Sequence, residues 1–171
     1  ILLVFVITQY NDLVRLKNGT KNSWSQVDVV LRQRYDLIPN LVEVVKGYAA
    51  HESETLESVI LARNSAIGSS TVTKQVGSEN MLSNALGRLF ALSEDYPNLK
   101  ADKNFMELQK ELTIIESRIA YARVSYNESV LIFNNKIQMF PSNIIAGIFH
   151  FGLGDFFEVE GESAGPVSIQ F

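Results

Sequence analysis

The chain alternates between long stretches in which apolar residues fall three and four positions apart and short polar interruptions, the pattern of amphipathic helices sharing a core. Between residues 12 and 35 the larger apolar residues are Leu13, Leu16, Trp24, Val27, Leu31 and Tyr35. This spacing predicts a first helix, weakened in its middle by Asn18-Gly19. The run RYDLIPNLVEVVKGYAAHE then occupies residues 34–52. Pro39 has no amide proton and crowds the preceding turn, so a break near Asp36 is cheaper than a helix running through it. In that reading Asp36 caps a second helix and Pro39 sits in its first turn, where amides have no intrahelical partner anyway. Leu41, Val45, Tyr48, Thr55, Val59, Ala62 and Ala66 carry its stripe to residue 67, and Gly68 ends it.

GSSTVTKQVGSE, residues 68–79, shows no helical stripe and is rich in hydroxyl residues, which predicts a loop. Ser78 is then the cap of a third helix buried through Leu82, Ala85, Leu86, Leu89 and Leu92 and stopped by Tyr96-Pro97-Asn98. The strongest pattern follows. Phe105, Leu108, Leu112, Ile115, Ile119, Ala122 and Tyr126 alternate spacings of three and four, and Val130, Phe133, Ile137 and Phe140 continue them. A stripe from residue 105 to 140 makes a rod of about 54 Å with the seam of coiled-coil packing. The expected fold is all-α: a long antiparallel up-down four-helix bundle over residues 12–140, with no strand before the tail.

Both ends depart from the bundle pattern. The chain opens ILLVFVI, seven apolar residues followed by polar TQYND. A membrane span needs about 20, so residues 1–11 are expected to be the end of an N-terminal transmembrane helix, with membrane lipid as its partner. A signal peptide would carry charge before the run and small residues after it. Arg15, Lys17 and Lys21 outnumber Asp12 beyond the apolar run, which places the bundle on the cytoplasmic side. At the other end, FPSNIIAGIFHFGLG (140–154) is uncharged when His150 is neutral. Residues 141–154 therefore suit a short helix, and Ile144, Ile145, Ile148, Phe149 and Phe151 are the candidates for contact with the membrane interface. A helix closing the bundle core, or a self-association surface, fits the same residues. Residues 155–171 form an acidic tail.

Composition narrows the chemistry. At 171 residues, 46% hydrophobic and 20% charged, the chain has globular proportions, and no linker-like stretch divides it. With no cysteine there is no disulfide, no thiolate nucleophile and no cysteine-ligated metal. Net charge is −4, set by Asp155, Glu158, Glu160 and Glu162; upstream of these, fifteen basic residues face fifteen acidic ones. A nucleic-acid partner, which needs a basic excess on one face, is not expected. Neither histidine completes a Glu-x-x-His or His-Glu-x-x-His pattern, because Tyr48 and Gly147 stand three before His51 and His150 and Thr55 stands four after His51. Phosphate-cradling glycine motifs and nucleophile elbows are missing too, so no cofactor, metal or catalytic residue is expected. Glu52, Glu54 and Glu57 read as a solvated helix face.

The sequence resembles the bacterial LemA family over nearly its whole length, through YNDLVRL (10–16), NSWSQVDVVLRQRYDLIPNLVEVVKGYAAHESETL (22–56), ALGRLFALSEDYPNLKA (85–101), ESRIAYARVSYNESVLIFN (116–134), FPSNIIAG (140–147) and FFEVE (156–160). It departs at GSSTVTKQVGSEN and at Gly152-Leu153-Gly154-Asp155. The resemblance implies a single-pass protein of the bacterial cell membrane with a helical-bundle domain and no established molecular activity. The expected function is a membrane-anchored scaffold or adaptor that self-associates and meets a membrane or cytoplasmic protein partner. Arg34, Tyr35, Asp36, Pro39 and Asn40 would shape the corner, with His51 and Glu52 below it as partner contacts. The rivals are a membrane-remodelling element and a hydrolase using carboxylates at the same corner.

Overall fold

The computed structural model describes residues 2–157, and all of its regular structure is helical, with no strand among the described residues. The order is α1 (Leu2–Tyr48), α2 (Ser53–Ile67), α3 (Val72–Ser93), a single turn α4 (Pro97–Lys100), α5 (Lys103–Gln138) and α6 (Ser142–Ile148). None of these helices is long and apolar enough to cross a membrane. The predicted acidic tail lies outside the described residues from residue 158 onward.

α1 and α5 are the two long rods, and they run antiparallel. Asp12 meets Lys136 at 3.6 Å, the Trp24 ring lies 5.2 Å from that of Tyr126, and the Tyr48 hydroxyl donates to Asp102 at 2.8 Å. One register therefore holds along the pair. α2 and α3 form a hairpin packed beside it. Most of the stripe predicted for the fourth helix is the buried face of α5, namely Phe105, Leu112, Ile115, Ile119, Ala122, Tyr126, Val130 and Phe133, whereas Phe140, expected to end it, lies beyond the helix and is exposed because α5 stops at Gln138. Asp102 caps that helix by accepting from the Phe105 amide.

Two boundaries differ from the sequence expectation, each for a reason visible in the hydrogen bonds. The predicted break at Asp36 does not exist: α1 passes through Pro39 and turns only at residues 49–52. Pro39 cannot donate to the Tyr35 carbonyl, four residues back, but Arg63 of α2 does so through Nε at 2.8 Å. The carbonyl orphaned by proline thus has a partner, which removes much of the reason to break. The predicted loop 68–79 is mostly helix, because the Thr71 hydroxyl, not Ser78, accepts from the Lys74 amide and starts α3 at Val72. Gly19, predicted as a weak point, lies within unbroken α1.

At the end where α1 begins, α6 folds back against α1 and α5. The Ser142 hydroxyl donates to the carbonyls of Lys136 and Met139, at 2.6 and 2.8 Å, closing the last turn of α5. Leu13, Phe133, Ile145 and Ala146 form a small second core there, apart from the main one.

Beyond α6 the chain runs extended along α5 as a strap. Asn134 donates to the Gly154 carbonyl (3.0 Å) and accepts its amide (2.8 Å), and Asn127 does the same with Phe157 (3.0 and 2.8 Å). The Tyr126 hydroxyl donates to the Asp155 carbonyl between them. Seven helical residues rise about 10.5 Å and three extended residues about 10 Å, so the two asparagines match the strap's period. A Cβ at Gly154 would sit in ordinary contact with Val130, at 3.4 Å, so the strap lies directly against α5 at this point.

Candidate functional site

Three of the polar residues that the core buries, Arg34, Gln75 and Glu79, converge between α1, α3 and α5. Arg34 and Glu79 are each about 1% exposed and pair at 2.9 Å. The second Arg34 amino group donates to the Ser83 hydroxyl (2.9 Å) and to Glu116 (2.8 Å), whose carboxylate reaches in from a half-exposed position. Tyr35 donates its hydroxyl to Glu79. Gln75 donates to the Tyr35 oxygen (2.8 Å), to Glu79 (3.0 Å) and to the Ala66 carbonyl (3.2 Å). Arg123 lies close enough to sense Glu79, Arg34 and Glu116, and its guanidinium covers the Phe157 ring at 4.4 Å. Two guanidiniums therefore balance two carboxylates.

Electrostatics explains why the group stays together. Ions taken out of water cost several kcal/mol each, and only mutual attraction plus further hydrogen bonds offset this. Glu79 receives three donors here, which holds a charged carboxylate in the interior. Burial first, and then the neighbouring Glu79, push the Tyr35 hydroxyl far above its ordinary range, so it stays a donor. Burial pulls the Arg123 guanidinium downward from its usual value. The Nε atoms of Arg34 and Arg123 remain buried without a partner. A cavity of about 350 Å³ opens beside the cluster, lined by Asp28, Arg32, Asp36, Ser69, Tyr35 and Gln75. Among the described residues no group of three or more His, Asp or Glu side chains converges as metal ligands would.

The corner residues proposed from sequence separate into distinct places. Arg34 and Tyr35 are core residues of the cluster, whereas Asp36, Pro39 and Asn40 are exposed on α1. His51 is exposed in the turn after α1, roughly 20 Å further along the rod, and makes no side-chain hydrogen bond among the described residues. Glu52 accepts from the Tyr96 hydroxyl at 3.1 Å. Of the apolar candidates, Ile145 is buried in the second core and Phe151 packs against it, while Ile144, Ile148 and Phe149 are exposed. Tyr10 stacks near both Phe149 and Phe151, at 4.7 and 5.9 Å.

Sequence reading missed Gln75, Glu79, Ser83, Glu116 and Arg123. A signal was present: Gln75, Glu79 and Ser83 recur at intervals of four beside Val76 and Leu82, and the first two fall on the buried helical stripe. It was obscured by the loop assigned to residues 68–79.

Comparison with known proteins places the chain. It is similar to magnetosome protein MamQ 2 of Paramagnetospirillum magneticum, 26% identical over 95% of this chain and 69% of that protein. Magnetosome protein MamQ of Magnetospirillum gryphiswaldense is also 26% identical, over 97% of this chain and 72% of its own length. Protein LemA of Metamycoplasma hominis is 28% identical over 80% of this chain and 63% of that protein. The LemA family profile matches residues 23–171, which covers every element from the middle of α1 onward. The chain belongs to the LemA family.

Proposed function

We propose that the protein is a non-enzymatic, membrane-anchored scaffold: α1, α2, α3 and α5 form an up-down four-helix bundle held at the cytoplasmic face of a bacterial membrane, self-associating and meeting partner proteins. One observation carries this reading. Leu3, Val4 and Ile7 on the first turns of α1, and Phe140, Ile144, Ile148 and Phe149 around α6, are all exposed at the same end of the molecule. Water-facing apolar groups gathered at one end fit a lipid surface, with the first turns of α1 inserted and α6 lying in the interface. Lys17, 5.5 Å from the Phe151 ring, and Arg15 stand just above, where basic residues meet anionic headgroups. The magnetosome relatives favour a place in a cellular structure over a place in metabolism. Exposed His51, at the opposite end, is the proposed contact for a partner protein.

The buried ion cluster supports a structural role. Its central pair, Arg34 and Glu79, is buried between helices and engaged with each other, which suits fixing the helix register rather than meeting a substrate. The test uses the cysteine-free chain with a single Ile148→Cys carrying an environment-sensitive dye, mixed with vesicles containing anionic lipid. Emission should shift to the blue and brighten on lipid addition, and Ile144→Asp together with Phe149→Asp should weaken vesicle flotation while the first turns of α1 keep their hold on lipid. A dye that stays water-exposed would reduce α6 to the floor of the bundle and sink the interfacial reading.

A further inference from the structure

The outer side of α5 carries a second seam that nothing in the described chain covers. Ile114, Arg118, Tyr121, Ser125, Glu128 and Ile132 follow at intervals of four and three, the a/d spacing of a coiled coil. All but Ser125 are exposed, Tyr121 by 78%. They lie away from the buried stripe of Leu112, Ile115, Ile119 and Tyr126. Beside them, Gln26 and Val30 of α1 and Ile114, Arg118, Tyr121 and Ser125 border an open, mainly apolar hollow of about 520 Å³.

This seam is its own complement. In an antiparallel helix pair each a position faces a d position of the partner. About a two-fold axis at residue 123, Ile114 meets Ile132 of the second copy, Arg118 meets its Glu128, and Tyr121 meets its Ser125. Symmetry makes every contact occur twice. Neither Arg118 nor Glu128 has an ion-pair partner among the described residues. A parallel pairing would set Arg118 on Arg118 and Glu128 on Glu128, so like charges select against it.

We infer that α5 is a self-association surface that takes a second copy of this chain in antiparallel orientation, centred on residue 123. The inference rests on the self-association contained in the proposed scaffold reading and gives it a surface. The hollow beside Ser125 accommodates Tyr121 of the second copy. Because the axis crosses α5, the apolar ends of the two copies point in opposite directions, with the last turns of the two α5 helices about 45 Å apart, so the pair joins copies held on two facing membrane surfaces and not neighbours on one.

Charge reversal in the full chain, followed by analytical ultracentrifugation in detergent, tests the pairing. Arg118→Glu and Glu128→Arg should each weaken association about tenfold or more, and the two together should restore it to near the wild-type value. Cysteine pairs test the direction. Chains carrying Ile114→Cys should link to chains carrying Ile132→Cys and not to each other, since the two Ile114 positions stand about 27 Å apart along the axis. Linking of Ile114→Cys to itself, or single reversals that leave association unchanged, would overturn the antiparallel seam. If dimers persist while these sites ignore one another, the seam falls and self-association stands; if the wild-type chain is monomeric at all concentrations, both fall. Vesicle binding through α6 is read separately and is unaffected by either outcome.

Discussion

The Arg34–Glu79 pair shows how few side chains decide the interior. With both groups buried, removing Arg34 takes from Glu79 its ion-pair partner, and removing Glu79 leaves Arg34 only the half-exposed Glu116, either of which is worse than removing both. Glu79→Ala should therefore lower stability by about 3–5 kcal/mol in urea unfolding followed by circular dichroism, whereas Arg34→Met with Glu79→Leu should fall within about 1 kcal/mol of wild type or above it. Tyr35 adds a pH dependence of definite sign. Its folded value lies above the ordinary 10.0, chiefly through burial and then through Glu79. Above about pH 10 the unfolded chain releases this proton while the folded chain keeps it, so stability falls as pH rises. Tyr35→Phe removes that contribution. The stability gap between wild type and variant, measured by urea midpoints, should accordingly narrow between about pH 8 and pH 11.

At the scale of elements, the fate of Pro39 separates what a sequence shows from what it hides. α5 was legible because its stripe is long, regular and interrupted by no helix breaker, so local propensity and packing point the same way. α1 was divided wrongly because the group that rescues the Tyr35 carbonyl is Arg63, 28 residues further on and on another helix. Periodicity carries no sign of such a partner. The arrangement predicts a coupling: Arg63→Ala should cost about 1–3 kcal/mol with Pro39 in place, and distinctly less beside Pro39→Ala, which restores the amide donor. Pro39→Ala alone should raise stability by about 1–3 kcal/mol, since proline inside a helix is otherwise unfavourable by about 3. α3 was misplaced for a related reason. Its first turns put Gln75, Ser78 and Glu79 inward, and polar residues at core positions read as loop unless their buried partners are known.

For the whole molecule, the antiparallel α1–α5 pair sets out three stations along one axis. The turn at residues 49–52, tied by Tyr48 to Asp102 and by Tyr96 to Glu52, closes one end. The ion cluster lies between, and the exposed apolar groups of α1 and α6 gather at the other end. The apolar end was visible in the sequence because seven leading apolar residues and FPSNIIAGIFHFGLG have no polar alternation. The middle station was not, since it depends on residues from three helices far apart in sequence, such as Tyr35, Gln75 and Glu116, that only packing brings together.

The strap joins the apolar end to the interior, from α6 through Gly154 to Phe157 beneath Arg123. Its two asparagine clasps stand about 10.5 Å apart on α5, whereas a slip by one residue would move the extended backbone only about 3.4 Å. Because each clasp grips backbone groups alone, the hold does not depend on the side chains between them, and substitution of the exposed Asp155 or Phe156 leaves both clasps in place.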